Sequence, residues 1–433
     1  MPVKFIVLGI VFVMYAAVII FPHKKAVWTL VAGLLVVLIG VVSPVMALTE
    51  LISWSVLMIY VGSLAIADLF IYSRVPARIA DEIVNHSPNP GIAIVIIIII
   101  TSFISAFVEN VATVLLMAPI ALSLSKKVNI KPTYFMLGLA VMANLQGTAT
   151  LVGDPPSMIF ASFASKALEV PVGFNEFFFY LGKPSIFFII QAGMLVGAIY
   201  FYVIFSKTAK KKITVVPEKI LSIVPTILLI LMVAALAACS FILKQGVTLE
   251  AGLSTMILAI IGLIWYQFVR KIDDKKTFSV VKGLDWETIL FLIGIFVVIG
   301  ALAETGALED LATLLSAMVG GNVLLGFVVI IVVSIIISGF VDNVPYIIAM
   351  LPVTVSMAAK MNIQSELYMF ALLVGSCLGG NLTPFGASAN IVAVGILKKE
   401  GIDLNFGGWL KTGLPFTFLT TTAAALLLWF IWR

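Results

Sequence analysis

The sequence predicts an all-α protein that crosses a membrane many times and is built from two related halves. With 62% apolar and only 11% charged residues, the 433-residue chain cannot cover the surface of a soluble globule. Charge-free runs of roughly 20 residues, the length of a membrane-spanning helix, recur along the chain. The peptide Val-Glu-Asn-Val at 108–111 recurs 233 positions later, at 341–344, as Val-Asp-Asn-Val. Because ionisable residues at membrane depth normally face a cavity, this duplication indicates one binding site formed by both halves.

The basic residues predict how the chain crosses the membrane. We assume five membrane crossings in each half and place both termini outside. With this topology, 20 of the 26 basic residues lie on the cytoplasmic side, as the positive-inside rule requires. An odd number of crossings per half inverts the second half relative to the first. The first apolar stretch, 3–21, runs straight into another span, so we interpret it as a retained span and not a signal peptide. We expect a multi-pass protein of the plasma membrane.

Each half is predicted to contain three spans, an interfacial stretch, a re-entrant hairpin, a broken span and a final span. The first half covers 1–206, with its hairpin at about 90–126 and its broken span at about 132–165. The second half covers 220–433, with its hairpin at about 321–360 and its broken span at about 365–397. A basic cytosolic linker, 207–219, joins the halves.

An internal repeat supports this division. Polar and proline residues of the first hairpin, beginning with Ser105, have identical residues 233 positions later, which shared apolar composition does not explain. In the broken spans we expect a small insertion in the second half. With that insertion, Asn144 and Gly147 would correspond to Asn381 and Gly386.

The broken spans predict a polar cavity at membrane depth. Non-helical backbone is tolerated there only where protein or water satisfies its amide and carbonyl groups. Freed N–H groups can then face an anion, and freed carbonyl groups can coordinate a cation. Neutral oxygens suited to sodium or to a hydroxylated oxyacid come from Asn144, Thr148, Thr150, Asn381, Thr383, Ser388 and Asn390.

Three acids lie beside these features: Glu109, Asp154 and Asp342. A carboxyl group away from water is costly to ionise, so each is a candidate carrier of a proton or a coupling ion. A structural interpretation stays open for all three. Asp154 precedes Pro155-Pro156, a pattern typical of a helix N-cap, and Glu109 and Asp342 could form purely structural hydrogen bonds.

Negative evidence excludes several classes of protein. The sequence has no Gly-Lys-Ser/Thr phosphate loop and no His/Cys cluster for a transition metal. Cys239 and Cys377 lie far apart in apolar segments and are expected to be packing residues. The net charge of +5 reflects where a membrane places lysine, so no nucleic-acid partner is expected. An intramembrane enzyme is disfavoured because no Asp-x-x-Asp pair is present.

At the hairpins and breaks the chain resembles the ion transporter superfamily. That superfamily includes arsenite permeases, sodium/proton antiporters of the NhaD type, the melanosomal P-protein and the citrate/dicarboxylate carriers. The matching stretches are 108–119, 144–156, 341–345 and 379–390. The resemblance covers nearly the whole chain and is greatest to the arsenite-permease/P-protein branch.

The resemblance implies a homodimer in which the early spans form a scaffold and the hairpins and broken spans move in an elevator motion. The resemblance also implies that the site is lined by Asn110, Thr113, Asn144, Thr148, Asn343, Asn381 and Ser388. The dicarboxylate carriers have Ser-Asn-Thr where this chain has Glu109-Asn110-Val111. That departure argues against carrying their anion-binding chemistry over to this chain.

The sequence therefore predicts a secondary active transporter, and not an enzyme, coupled to protons or sodium and moving a small inorganic solute. Arsenite or antimonite export and sodium/proton antiport remain equal alternatives, with a sodium-coupled di- or tricarboxylate carrier third. A channel is disfavoured because duplicated inverted hairpins are typical of carriers. No metal or cofactor other than sodium is expected. The expected partners are the solute, the coupling ion, the lipid bilayer and a second copy of the chain, and an external ATPase subunit stays open.

Overall fold

The computed structural model describes residues 3–21, 24–206, 208 and 214–433 and confirms an all-α membrane protein. Within these residues, nine helices are long and apolar enough to cross a membrane. The strands in the described part of the chain form one short antiparallel pair, β1 (Phe179–Tyr180) with β2 (Lys183–Pro184). This pair was not predicted from the sequence.

In the described residues before the predicted linker there are ten α-helices. They are α1 (Val3–Ile20), α2 (Lys25–Leu38), α3 (Pro44–Met46), α4 (Trp54–Ser73), α5 (Val75–His86), α6 (Pro90–Ser105), α7 (Asn110–Val128), α8 (Thr133–Gly147), α9 (Pro155–Ala167) and α10 (Ile186–Phe205). Of the predicted linker at 207–219, residues 207 and 209–213 lie outside the described residues.

Ten more helices follow the linker. They are α11 (Val224–Leu243), α12 (Leu249–Ile264), α13 (Asp274–Gly283), α14 (Trp286–Glu304), α15 (Ala307–Val319), α16 (Val323–Phe340), α17 (Asn343–Lys360), α18 (Glu366–Gly379), α19 (Ser388–Lys399) and α20 (Phe406–Trp432). Helix α13, which is polar and precedes α14, was not predicted from the sequence.

The helix starts repeat at a constant spacing. Helices α6, α7, α8 and α9 each begin 233 positions before α16, α17, α18 and α19. The spacing is maintained through both breaks, so the small insertion expected from the sequence is wrong. The structure instead aligns Gly147 with Gly380 and Thr148 with Asn381. The inverted orientation of the two halves stays a prediction.

Early helices of each half pack against early helices of the other half, in two equivalent contacts. Helix α2 packs against α14, and α4 packs against α12. Both contacts depend on a glycine. A Cβ atom on Gly294 would lie 2.5 Å from the backbone carbon of Thr29, and one on Gly62 would lie 2.8 Å from that of Thr255. We call α1, α2, α4, α11, α12 and α14 the first bundle.

The hairpins and broken spans form a second bundle with the same reciprocity. Helix α7 of one half packs against α19 of the other, and α17 packs against α9. Helices α8 and α18 lie beside their own hairpins and contact each other. The second bundle is therefore held together across the halves, and it touches the first bundle where α4 meets α7 and where α14 meets α17.

Surface ion pairs join residues that the topology places on one side of the membrane. On the predicted cytoplasmic side, Arg74 pairs with Glu218 and Lys126 with Glu400, each at 2.7 Å. On the predicted outer side, Lys360 pairs with Glu309 at 2.7 Å, and Lys4 pairs with Asp310. The sidedness itself stays a prediction.

A methyl group at the contact between α2 and α14 should destabilise the protein. Gly294→Ala would push the Cβ into backbone atoms of Thr29 and Leu30, which cannot move aside, at a cost of about 1–3 kcal/mol. We expect a lower melting temperature in detergent. Gly9→Ala is the matched control because a Cβ on Gly9 meets nothing within 4 Å. Equal melting temperatures for the two variants would contradict this close helix contact.

Candidate functional site

The three predicted acids are N-caps of helices that begin inside the second bundle. Glu109 accepts a hydrogen bond from the amide of Ala112 at the start of α7, and Asp342 accepts one from Val344 at the start of α17. Asp154 accepts one from the amide of Ser157 at the start of α9, with proline at the first helical position. A carboxylate at a helix N-terminus satisfies free N–H groups and interacts favourably with the helix dipole.

The fourth such helix lacks an acid. Helix α19 begins at Ser388 after Ala387, which has no side chain to cap it. Ala387 stands 233 positions after Asp154, so the two broken spans differ at equivalent positions. The N-terminus of α19 is the one among these four helix starts that carries no carboxylate.

Three buried amides connect the two broken spans. The Nδ2 atom of Asn144 donates to Oδ1 of Asn381 at 2.9 Å and to Oδ1 of Asn390 at 2.8 Å. Asn381 in turn donates to the carbonyl of Val141, and Asn390 donates to the carbonyls of Gly380 and Thr383. All three side chains are almost fully buried. We call Asn144, Asn381 and Asn390 the amide cluster.

The placement of Asn110, Asn144, Asn343 and Asn381 around one cavity stays a prediction, but the structure shows which of these amides bond to each other across the halves. Asn144 pairs with Asn381 across the halves, while Asn110 accepts a hydrogen bond from Ser105 within its own hairpin. The reason is the crosswise packing, which places α8 against the break of the other half.

A second polar cluster occupies the equivalent place around α18. Cys377 is equivalent to Asn144 at the spacing of 233, and its thiol lies beside Thr148 and Asp154. The hydroxyl of Ser157 donates to the carbonyl of Thr148. Thr148 and Ser157 are the equivalents of Asn381 and Asn390, so this site, which we call the hydroxyl cluster, occupies the equivalent positions with different chemistry.

The two breaks are closed in the same way. The hydroxyl of Thr150 donates to the carbonyl of Ala106 at the end of α6, and that of Thr383 donates to the carbonyl of Gly339 in α16. Each break is therefore attached to the first helix of its own hairpin. Satisfied carbonyl groups allow non-helical backbone to persist inside the bundle.

The remaining predicted residues vary in exposure. Thr113 is fully buried and its hydroxyl donates to the carbonyl of Val108. Asn110 and Asn343 are half-buried at the hairpin tips, and Ser388 is exposed at the start of α19. The assignment of all these residues to a solute site stays a prediction.

Sequence reasoning missed several residues of this region. Gln146 is fully buried, and neither its Oε1 nor its Nε2 has a hydrogen-bond partner among the described residues. Trp409 of α20 donates its indole N–H to the carbonyl of Asn381 at 3.0 Å. Lys25 forms an ion pair with Asp342. Gln146 lies within the first broken span, whose motif could have indicated it. Nothing in the sequence connects Trp409 or Lys25 with the breaks.

Within the described ranges, no group of three or more His, Cys, Asp or Glu side chains is placed to hold a metal ion. Apart from the thiol of Cys377, the polar side chains and carbonyl groups at the breaks offer amide, hydroxyl and carbonyl oxygens together with the carboxylate of Asp154. That donor set is the one preferred by hard cations such as sodium or by a proton.

Comparison with known proteins agrees with this architecture. The citrate transporter family (CitMHS) matches residues 15–375 and 279–433. An uncharacterized transporter of Mycobacterium tuberculosis is 28% identical over 389 residues, which is 87% of this chain and 86% of that protein. An uncharacterized transporter of Synechocystis is 26% identical over 441 residues and 95% of each chain. The human P protein is 26% identical over 404 residues, which is 76% of this chain but 47% of the P protein.

A solved structure shares the fold. The crystal structure of the YdaH transporter of Alcanivorax borkumensis aligns with a TM-score of 0.61 at 13% sequence identity, over 91% of this chain and 87% of that one. Fold and site together define a polytopic all-α membrane transporter. The chain belongs to the citrate transporter family, CitMHS, within the ion transporter superfamily, which confirms the resemblance seen in its motifs.

Removing one amide of the cluster should affect both stability and solute binding. Asn144→Ala leaves Oδ1 of Asn381 and of Asn390 without this donor, at a cost of about 1–3 kcal/mol for each buried group left unsatisfied. We expect a lower melting temperature and an apparent solute affinity weaker by about 5- to 150-fold.

Ser388→Ala is the control for stability because that hydroxyl is exposed and should leave the melting temperature unchanged. Thermal unfolding in detergent and transport by reconstituted protein provide the two measurements. Native behaviour of Asn144→Ala in both assays would show that the amide cluster is dispensable.

Proposed function

We propose that the protein is a secondary active transporter of the plasma membrane, coupled to protons or sodium, that moves a small inorganic solute. Arsenite- or antimonite-type export and sodium/proton antiport are the two forms of this proposal. Both termini lie outside in the proposed topology, and the two halves are inverted.

The observation that carries the proposal is that two acids inside the second bundle, the buried Asp154 and the half-buried Glu109, have no basic partners in the described part of the chain. Glu109 and Asp154 cap helices inside the second bundle, and neither forms an ion pair with a basic side chain of the described chain. An isolated carboxylate in a low-dielectric interior is costly unless a proton or a metal cation neutralises it. The proposed coupling ion supplies that neutralising charge.

The crosswise packing supports an elevator motion, and the homodimer in which we propose that it occurs rests on the family resemblance alone. Each hairpin packs against the broken span of the other half, and the amide cluster links the two broken spans directly. These elements can therefore move as one body against the first bundle. Alternating access by such a motion carries a site across the membrane without dismantling it.

A carrier of di- or tricarboxylates is the second candidate, and a specific observation favours it. The N-terminus of α19 is not capped by a carboxylate, whereas those of α7, α9 and α17 are. A free helix N-terminus favours an anionic group, and the matching family is described as one of citrate transporters.

Counter-flow in proteoliposomes tests the proposal. Vesicles are loaded with arsenite, antimonite, sodium, lithium or dicarboxylates, with a pH-sensitive dye inside. Exchange of an inorganic solute or of sodium, linked to a proton or sodium gradient, would support the first candidate. Dicarboxylate exchange alone would select the second, and flux that ignores every counter-ion gradient would reject coupled transport.

The inverted arrangement makes a separate prediction about the two hairpins. Lys126 lies in the last turn of the first hairpin and Lys360 ends the second, and the proposed topology places them on opposite membrane faces. Single cysteines introduced at these positions, after replacement of Cys239 and Cys377 by alanine, should be labelled by an impermeant maleimide from opposite sides. Labelling of both from one side would contradict the inverted topology.

A further inference from the structure

An ion pair joins the first bundle to the tip of the second hairpin. Lys25 is the first residue of α2, and its Nζ lies 3.1 Å from Oδ2 of Asp342, the N-cap of α17. The side chains are 14% and 26% exposed, and the ammonium group also lies over the ring of Phe291 at 5.1 Å. The other carboxylate oxygen of Asp342 accepts a hydrogen bond from the amide of Val344. The carboxylate is thus shared between the helix start and the lysine.

Two further acidic side chains of the described chain act on this lysine. From α14, the carboxyl groups of Asp285 and Glu287 act electrostatically on Lys25. One oxygen of Glu287 is buried and has no hydrogen-bond partner within the described ranges. From α1, the hydroxyl of Tyr15 donates to the carbonyl of Pro345 in the first turn of α17. One lysine therefore faces three carboxyl groups, an arrangement that attracts further positive charge.

The first hairpin has no equivalent lysine. Thr29 of α2 and Thr255 of α12 occupy equivalent places, because each hydroxyl bonds to carbonyls three and four residues earlier and to a carbonyl of the helix that it crosses. On this alignment Ala251 stands where Lys25 stands. Glu109, the cap at the first tip, has no basic partner in the described part of the chain. The lysine is therefore a feature of the second tip alone.

We propose that Lys25 is a tethered counter-ion that competes with the coupling cation for Asp342. Without a bound cation, the ammonium group neutralises the carboxylate and holds the hairpin against α2. When a proton or a sodium ion binds, the lysine is displaced and the hairpin is released from the first bundle. This inference rests on the proposed cation coupling and adds a residue that sets the affinity of the cation.

The lysine-to-methionine variant tests the competition directly. Lys25→Met keeps the length of the side chain but removes its charge, so the cation no longer has a built-in competitor. We expect the sodium concentration for half-maximal transport to fall about 10-fold. If the proton is the coupling ion, the pH dependence of transport should change in the variant, because the positive charge that competes with the proton is gone.

Lys24→Met is the matched control, because Lys24 is exposed and its replacement removes the same charge from the neighbouring position. The Lys24→Met variant should have the cation dependence of the native protein. Lys25→Arg keeps the positive charge and should not strengthen cation binding. In an Asp342→Asn background, Lys25→Met should have no further effect on cation dependence. The dependence of thermal stability on sodium or pH, measured on the purified variants, reports the affinity for the cation without a transport assay. If the methionine variant does not insert into the membrane, Lys25→Gln is used in its place.

The outcomes separate this inference from the proposed function. A native protein that transports without any dependence on a cation gradient would overturn both. A native protein that is coupled, with Lys25→Met showing native cation dependence, would overturn only the role of the lysine. The same holds if Lys25→Met weakens solute affinity and leaves the cation dependence unchanged, because Lys25 would then contact the solute.

Discussion

Asn144 donates both hydrogens of its amide across the boundary between the halves, one to Asn381 and one to Asn390. These groups are buried where water cannot replace a lost partner, so their hydrogen bonds depend on one relative position of the two broken spans. Asn390 also donates to the carbonyls of Gly380 and Thr383, which links the second break to the cluster, and Asn381 donates to the carbonyl of Val141 in α8. Helix starts, caps and hairpin contacts of the second bundle are arranged around this contact.

The duplicated backbone carries different chemistry in its two copies. At the constant spacing of 233, asparagine is replaced by cysteine at 377, and two asparagines of one cluster correspond to Thr148 and Ser157 of the other. The carboxylate of Asp154 has only Ala387 as its counterpart. Amides both donate and accept and therefore lock together, whereas hydroxyl groups beside an acid leave a group that can take up a cation. The structure thus combines a neutral cluster of amides with a cluster of hydroxyl groups and a thiol that includes an acid.

Composition was sufficient to predict the membrane class, and the motifs were sufficient to predict the family, because both depend on local sequence. The contacts within the site could not be predicted in the same way. Pairing Asn144 with Asn381 requires knowing that α8 packs against the other half, and alignment by identical residues suggested an insertion that the helix starts exclude. The constant spacing was visible in the hairpins, and extending it through the breaks would have matched Thr150 with Thr383, whose hydroxyl groups make equivalent bonds.

Lys25 shows a further limit of sequence reasoning in membrane proteins. Topology alone accounts for lysines near the ends of spans. The sequence therefore does not reveal which of these lysines point into the protein. The position of Lys25 beside Asp342, 317 residues away, arises only because α2 crosses α14 at Gly294 and so reaches the second hairpin tip. A lysine that contributes to orientation during insertion can afterwards neutralise an acid in the folded protein. Since Glu109 at the first tip has no such partner among the described residues, the two tips of a duplicated scaffold differ in charge: one carboxylate is neutralised by a lysine and the other is not.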